Sequence, residues 1–490
     1  MIEKQFPAII IVAPLVMSIL MNLMGILSKK GCYYLTVVTV SVSLISAIGL
    51  LQQVINSGKI SYRLGGWDPP WGIEYMVDHL NAYLLVIVTA IALLAAIFSL
   101  RPIERVMPAR IPQFYSLFLL LTTGLIGMTI TGDAFNLYVL IEITSISCYA
   151  LIAKGDDRSP LASFNYLIIG TVGACFYLLG VGYLYIMTGS LNMLDIAKIL
   201  PTVYGTNAIV AAFSFFMVGI AIKMAFFPVH GWLPNAYTHS PDVVSAFMAA
   251  TVTKVSAYVM IRVMFTVFDP SYSLKVFPVM DLLGWLSVGA MMYGCTLALA
   301  QREIKRLLSY IIIAEVGYIV VGISVANRLG FIGSVLHIMN DAIMMVCLFL
   351  VAGAVAFKTG AKTIDDYRGL AKRMPLSAAA FLVGTLSVVG VPPTCGFFSK
   401  WYLLLGTIEA GRYIYTAALL LSSLMSAIVG FRVLQSIYST SSERPSLKDE
   451  APLSMLGPIY VSVVAIMVIG FFSGDIINAV IQHTVPHGFK

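Results

Sequence analysis

Four ionisable side chains stand alone within long apolar stretches of this 490-residue sequence: Glu142 in residues 135–152, Lys223 in 207–227, Lys254 in 243–261 and Lys400 in 376–408. A charge at membrane depth costs about 2.5–3.5 kcal/mol even on lenient insertion scales, so such charges are retained where they meet polar partners or water. One carboxylate and three ammonium groups in these surroundings favour a relay for protons or ions, in which each charge alters the proton affinity of the next. A lysine that snorkels from a helix end is the alternative, and it suits Lys400 better than the other residues.

Glu142 and Lys223 are natural partners, because opposite charges attract strongly in an apolar setting. An ion pair at about 4 Å is worth roughly 4 kcal/mol at an effective dielectric constant near 20. Breaking the pair would favour proton release from the lysine, since burial disfavours its charged form. The two residues therefore form either a proton switch or a static structural pair, and the sequence leaves both open.

Two histidines, His230 and His239, lie between Lys223 and Lys254. Histidine titrates closer to neutral pH than the other side chains, so each is suited to passing a proton towards Lys254. Histidines are also ordinary residues at a membrane surface. For His239 in particular, a relay role and no role at all stay equally open.

A second polar group lies farther along the chain. His337 and Asp341 are four residues apart and therefore share a face of a predicted helix, and Glu315 lies in the preceding apolar segment. These three residues are predicted to extend the relay towards Lys400. A buried His–Asp pair that only satisfies its own hydrogen bonds is the alternative.

The composition predicts the setting of these charges. Hydrophobic residues make up 59% of the chain and charged residues 11%, and the mean hydropathy is +0.92, which together indicate an integral membrane protein. Fourteen apolar runs are long enough to cross a bilayer of about 30 Å. They are residues 7–27, 34–54, 79–99, 113–131, 135–152, 162–186, 207–227, 241–266, 279–299, 306–326, 330–357, 374–408, 411–434 and 455–482.

The basic residues test this count. Four of the 30 lysines and arginines, Lys223, Lys254, Arg262 and Lys400, lie inside spans and are left out; of the other 26, 18 fall in or at the borders of the odd-numbered loops, with Arg306 and Arg432 at span ends counted there, and only eight in the even-numbered loops and the termini. If one helix were miscounted, every later loop would change between odd and even, and the asymmetry would be lost. By the positive-inside rule, the odd loops are predicted to be cytoplasmic and both termini to lie outside a multi-pass cell membrane protein.

The same counts exclude other classes of protein. The net charge of +7 follows from the loop bias, and no run of Lys or Arg exceeds two residues, which argues against nucleic-acid binding. The longest polar stretches, residues 359–375 and 436–452, are too short to fold alone. The six cysteines form no C-x-x-C pair, so we expect no cofactor, metal or disulfide framework. No cleavable signal peptide is evident at the first apolar run.

Prolines interrupt two predicted helices beside their lysines. Lys223 precedes Pro228 in the seventh helix, and Pro392 and Pro393 precede Lys400 in the twelfth. Proline removes a backbone donor, and at membrane depth the freed carbonyls must be satisfied by protein groups or water. Paired broken helices are typical of inverted-repeat transporters, although kinks that serve only packing are the alternative.

This pattern predicts an all-α membrane fold with 14 spanning helices. We expect N-terminal helices 1–3 in residues 1–110, a first inverted repeat of helices 4–8 in 111–268, a second of helices 9–13 in 269–435, and the last helix in 436–490. The segment 58–78, rich in Gly, Pro and aromatic residues, is predicted to be an outer interfacial loop without chemistry of its own. Trp67 and Trp71 would lie at the level of the lipid headgroups.

Five ordered motifs together resemble one family. They are Thr131-Gly-Asp-Ala-Phe-Asn through Glu142, Lys223-Met-Ala-Phe-Phe-Pro through Tyr237, His239-Ser-Pro-Asp through Lys254, Lys305-Arg-Leu-Leu-Ser-Tyr through Tyr318, and Gly390-Val-Pro-Pro-Thr-Cys-Gly-Phe-Phe-Ser-Lys400. They resemble the antiporter-like subunits of Mrp-type cation/proton antiporters, membrane-bound hydrogenases and respiratory complex I, with the strongest likeness to the D-type subunit of Mrp antiporters. The resemblance spans about residues 60–435. It implies that Glu142 and Lys223 are the coupling pair, Lys254 the central relay and Lys400 the terminal site.

The eleventh helix departs from the family pattern. Where members often carry histidine and lysine, this chain has Asp341 and Met345, and Glu315 stands where they often have glutamine. Methionine cannot carry a proton. The relay would then depend on His337, Asp341 or water, with Glu315 compensating.

The resemblance implies a subunit that moves H⁺, in exchange for Na⁺ or without it, alongside other membrane subunits. Two settings stay open: a stand-alone Mrp-type antiporter, and the ion-pumping part of a redox-driven complex such as a membrane-bound hydrogenase or a complex I relative. Any redox chemistry would belong to partners, since no cofactor motif is present. A non-conducting scaffold, whose charges only hold helices together, is the remaining alternative.

Overall fold

The computed structural model describes residues 2–439 and 449–489 and is built almost wholly from helices. The long helices and the two halves of each broken helix are α1 (Phe6–Leu27), α2 (Lys29–Ser57), α3 (His79–Phe98), α4 (Ile111–Ile130), α5 (Ala134–Ile152), α6 (Ser159–Thr188), α7a (Asn207–Met224), α7b (Leu233–His239), α8 (Asp242–Arg262), α9 (Met280–Ala300), α10 (Ile304–Ser324), α11 (Arg328–Thr359), α12a (Pro375–Val389), α12b (Cys395–Glu409), α13 (Tyr413–Tyr438) and α14 (Leu453–Phe471). Shorter helices cover Leu100–Val106, Met193–Ile199, Asp269–Ser271, Leu370–Arg373 and Ser473–Ala479.

Thirteen helices of the described chain are long and apolar enough to cross a membrane. The twelfth predicted span, residues 374–408, is divided into α12a and α12b, and neither half alone has the length of a span. The last predicted span, residues 455–482, ends as a helix at Phe471 and continues as a short separate helix. The multi-pass membrane fold is therefore confirmed, whereas the division into two inverted repeats stays a prediction.

Both predicted helix breaks are present, and each has a local cause. After α7a the backbone turns left-handed at Ala225, with φ of 56°, and α7b starts only at Leu233. After α12a it turns left-handed at Gly390, with φ of 90°. At the first break the carbonyl of Ile222 accepts a hydrogen bond from the Ala225 N–H at 3.2 Å and a second one from the indole N–H of Trp232 at 2.9 Å. A side-chain donor thus supplements the backbone donor at a depth where water is scarce.

The helices differ in how far they are buried, and this defines the centre of the bundle. In the most apolar part of α8 every residue is buried, and in α10 the share is 94%, against 39% in α6, α13 and α14. α8 packs against α11, α7a and α3, and α11 packs against α10, α12b and α14. Lys254, Glu315 and Asp341, in the middle parts of α8, α10 and α11, therefore lie in the interior, away from lipid.

Residues 58–78 form more structure than the predicted loop. Ile60–Arg63 (β1) pairs antiparallel with Glu74–Val77 (β2), with Ile60 opposite Val77. Trp67 and Trp71 lie between the strands and are 70% and 91% exposed, as expected of residues at the membrane interface. The interpretation that this segment has no chemistry stays a prediction. Arg444 and Lys448, counted among the basic loop residues, lie outside the described residues.

Candidate functional site

The first buried pair joins α5 to α7a. Lys223 Nζ lies 3.7 Å from Glu142 Oε1 and donates a hydrogen bond of 2.7 Å to Ser145 Oγ. Glu142 and Ser145 are three residues apart on α5 and so face Lys223 together. The lysine side chain is 8% exposed and the glutamate 26%, so the pair reaches from the protein interior towards its surface. The structure thus brings together the two residues that the sequence pairs.

The central pair is shorter and more deeply buried. Lys254 Nζ on α8 lies 2.6 Å from Asp341 Oδ2 on α11, and the two side chains are 1% and 0% exposed. The ammonium group also donates to the carbonyl of Ala249 at 2.8 Å. Asp341 Oδ1 is buried without a hydrogen-bond partner among the described residues. That oxygen leaves the carboxylate able to accept a proton or a water molecule.

The third group lies between α10, α11 and α12b. Glu315 is 0% exposed and lies between two nitrogen groups: its Oε2 is 2.9 Å from His337 Nε2, and its Oε1 is 3.6 Å from Lys400 Nζ. The other ring nitrogen of His337 lies 2.9 Å from Ser399 Oγ. Lys400 also donates to the free carbonyl of Val388 at the end of α12a, at 2.5 Å. The helix break thus supplies one hydrogen-bond acceptor for Lys400, the Val388 carbonyl.

These contacts form three groups of ionisable residues: Glu142 with Lys223, Lys254 with Asp341, and Glu315 with His337 and Lys400. Asp341 and His337 lie one turn apart on α11, and the three groups in this order are called the series below. In the second and third groups, two lysines lie against two carboxylates, and His337 lies beside Glu315. A further proton would leave an uncompensated buried charge, which is costly.

A small gap separates the first pair from the central pair. Two cavities of about 10 Å³ each flank Lys223, and both are also lined by Met128, Ile141 and Ser256. A cavity of this size holds about one water molecule. Ser256 is two residues from Lys254 on α8. Both cavities therefore place the Ser256 hydroxyl and room for a water beside Lys223, and Lys254 is not among the residues that line them.

The structure does not bring the predicted His230 into this series. Its ring packs against Phe227 at 5.6 Å and Tyr293 at 4.7 Å between ring centres, and its Nδ1 has no hydrogen-bond partner among the described residues. His239 lies at one end of the bundle and binds Asp156 through Nδ1 at 3.0 Å. Partial burial raises the pKa of the Asp156 carboxyl, but the bonds from His239 and from the Arg158 N–H outweigh it, so the net pKa lies below its ordinary value.

The departure in α11 has a structural counterpart. Met345 is buried one turn after Asp341 along α11, whereas His337 lies one turn before Asp341. His337 contacts Ser399, the neighbour of Lys400, and Glu315 contacts both His337 and Lys400. The compensating role of Glu315 expected from the sequence stays a prediction.

Sequence reasoning missed several small polar partners. Ser145 and Ser399 hold Lys223 and His337, and the ring of Tyr318 lies 4.4 Å from Lys400 Nζ. The Tyr318 hydroxyl is fixed by Ser422 at 2.6 Å. In the sequence, only nearness to a charged residue marks the two serines: Ser145 is three residues from Glu142, and Ser399 is next to Lys400. Serines at such positions are common in any helix and predict nothing alone.

Comparison with known proteins assigns this arrangement to a family. Residues 131–426, more than half of the chain, match the family "NADH:quinone oxidoreductase/Mrp antiporter, TM". The chain is 42% identical to NADH-quinone oxidoreductase subunit N of Desulforudis audaxviator, over 98% of this chain and 99% of that protein. It is 29% identical to the D-type subunit of the Na⁺/H⁺ antiporter of Alkalihalophilus pseudofirmus, over 90% and 88%. In the membrane-bound sulfane sulfur reductase, an archaeal respiratory membrane complex, a chain that is 29% identical superposes with a TM-score of 0.89 over 98% of both chains. The chain is thus a member of the NADH:quinone oxidoreductase/Mrp antiporter family of membrane subunits.

Proposed function

We propose that this subunit moves protons across the membrane through the series from Glu142 to Lys400. The central Lys254–Asp341 pair carries the proposal, since a 2.6 Å contact between two fully buried ionisable groups joins the two halves of the bundle. Each group in the series is an acid or a base that can gain and lose a proton. Changes in the spacing of the Glu142–Lys223 pair would then shift the proton along the series.

The setting that we infer is a larger membrane assembly driven by redox chemistry in partner subunits. Support comes from the 42% identity to a quinone oxidoreductase subunit and from the fold shared with a chain of a respiratory reductase. Exchange of H⁺ for Na⁺ is the second candidate, supported by the identity to a Na⁺/H⁺ antiporter subunit. In either setting the other membrane subunits are the partners, and this chain contributes the ion path.

We infer further that the subunit lies in the cytoplasmic membrane with both termini outside. The 18 basic residues in odd-numbered loops, against eight elsewhere, support this orientation. The His239–Asp156 end of the bundle would then face the cytoplasm, and the β1–β2 ribbon the exterior.

Replacing Glu142 by glutamine tests the proposal. The amide keeps the shape of the side chain and loses the titratable charge that faces Lys223, so we expect H⁺ uptake by reconstituted assemblies to fall to the level of protein-free liposomes. Glu104→Gln, the same change at a partly exposed glutamate beside Arg101, should leave uptake unchanged. Uptake is measured with a pH-sensitive dye.

Normal uptake by the Glu142→Gln assembly, with the subunit present in the membrane, would make the carboxylate structural and favour the scaffold. A parallel measurement of ²²Na⁺ movement separates the two transport candidates. Sodium flux opposite in direction to proton flux, and lost in the same variant, would favour antiport over proton movement alone.

A further inference from the structure

A basic cavity lies where α9, α13 and the loop after α11 meet. Its volume is about 540 Å³, and three arginines line it with a single acidic residue, Asp365. Arg302 and Arg368 are exposed at its mouth. Arg432 donates to the carbonyls of residues 299 and 301 at the end of α9, which fixes its guanidinium at the cavity wall. The cavity therefore has a net positive charge at one end of the bundle.

An apolar groove of about 440 Å³ adjoins this cavity, between α12a and α13. Leu386 and Val389 line one side, and Ile428 and Phe431 the other, with exposures of 51% and 70% for the last two. The two helices approach closely at Gly430, where an added Cβ would lie 2.4 Å from the Thr385 side chain. This contact closes the back of the groove and leaves its outer side open to lipid.

The cavity and the groove follow one another along α13. Phe431 lines the groove, Gln435 lines the cavity, and four residues on a helix place the two side chains on the same face. At 1.5 Å per residue, the span from Ile428 to Ser436 is about 12 Å along the axis. The two sites share no lining residue, but they lie side by side along α13, within the length that one phospholipid spans from its headgroup to its acyl chain.

We propose that this combined site binds an anionic phospholipid, with the phosphate in the arginine cavity and an acyl chain in the groove. Basic pockets between helices on the cytoplasmic side are suited to acidic lipid headgroups, and guanidinium groups bind phosphate through paired hydrogen bonds. A free phosphate would occupy the cavity without using the groove. A partner helix would occupy the groove without requiring the arginines.

The position of the groove gives the lipid a role. Its inner end is formed by Val389 and Val391 at the break of α12, next to the Val388 carbonyl that receives the Lys400 hydrogen bond. An acyl chain at this point covers the break from the lipid side and keeps water from the terminal lysine. The bound lipid therefore seals the end of the charged series.

The test measures binding of fluorescent phosphatidylglycerol to the purified, delipidated assembly in detergent. Unlabelled phosphatidylglycerol should compete, whereas phosphatidylcholine and millimolar inorganic phosphate should not. The double variant Arg302→Gln/Arg368→Gln should weaken binding about tenfold or more, because each arginine near a membrane surface contributes to attraction of anionic lipid. The matched control, Arg101→Gln/Arg158→Gln, removes two exposed arginines elsewhere on the same predicted face and should bind normally.

Ala427→Trp tests the groove separately, because the indole fills the space of the acyl chain and leaves every arginine in place. It should weaken binding to a similar extent in an assembly that elutes as the wild type does. Equal competition by phosphatidylcholine, full displacement by phosphate, or wild-type binding by either the double arginine variant or Ala427→Trp would overturn the proposal. None of these outcomes depends on whether the subunit moves protons.

Discussion

At the scale of single residues, the three buried lysines differ in what holds them. Lys254 has a short contact to one carboxylate, Lys400 shares a carboxylate with His337 and rests on the Tyr318 ring, and Lys223 has the longest contact, 3.7 Å from its glutamate. The Glu142 side chain is 26% exposed, whereas those of Asp341 and Glu315 are 0% exposed, so solvent screens the pairing of Lys223 most. Lys223 is therefore the lysine most readily separated from its partner, as the proposed switch requires.

Lys223→Arg separates charge from proton release. Arginine keeps the positive charge opposite Glu142 but does not give up its proton in proteins, so proton uptake should be lost although the subunit still assembles. Lys198→Arg, the same change at an exposed lysine, should transport normally. Wild-type proton flux from the Lys223→Arg assembly would rule out deprotonation of this lysine as a step.

At the scale of secondary-structure elements, the broken helices explain why the terminal lysine can be retained inside the bundle. α12a ends at Val389, and its unpaired Val388 carbonyl accepts a hydrogen bond from Lys400 on α12b. An unbroken helix would use that carbonyl within its own backbone ladder and leave the ammonium group with one ligand fewer. The break therefore contributes to the site directly.

Gly390→Ala tests this dependence. Gly390 has a φ of 90°, which side chains rarely adopt, and a Cβ there would lie 3.2 Å from the Lys400 side chain. We expect a cost of about 1–3 kcal/mol, seen as a lower melting temperature in detergent, together with reduced proton uptake. Gly457→Ala is the matched control, since that glycine lies in α14 with open space around it. Equal melting temperatures for the two variants would show that the break tolerates a side chain.

At the scale of the whole molecule, the buried charged groups and the exposed apolar faces lie on different helices. The deeply buried charges Lys254, Glu315 and Asp341 lie on α8, α10 and α11, whose most apolar parts are 72–100% buried, whereas apolar faces of α6, α9 and α13 remain exposed at the surface of the subunit. Basic residues concentrate in alternate loops at one end. This distribution predicts a single orientation in the membrane.

Cysteine labelling in whole cells checks that orientation. In a background with the exposed Cys175 changed to serine, Lys4→Cys should react with a membrane-impermeant maleimide in intact cells, because the N-terminus is predicted to lie outside. Lys154→Cys, in an odd-numbered loop, should react only after permeabilisation. The reverse pattern would place the basic loops outside and contradict the positive-inside assignment.

Much of this protein follows from its sequence alone, because the cost of burying charge and free backbone groups in a membrane is so large. Run length and the basic loops predicted a multi-pass fold, prolines predicted the two breaks, and isolated charges identified Glu142, Lys223, Lys254 and Lys400. These signals are local: each is read within one helix.

Apart from the Glu142–Lys223 pair, which the sequence already suggests, only the tertiary structure decided which charges meet. The sequence did not distinguish a histidine that joins the series, His337, from one that packs against aromatic rings, His230, since both are single histidines in or beside apolar helices. Nor did it pair Asp341 with Lys254, because the two are brought together by packing of α8 against α11 across more than 80 residues of chain. Contacts between distant segments depend on how whole helix faces fit together, and no local spacing carries that information.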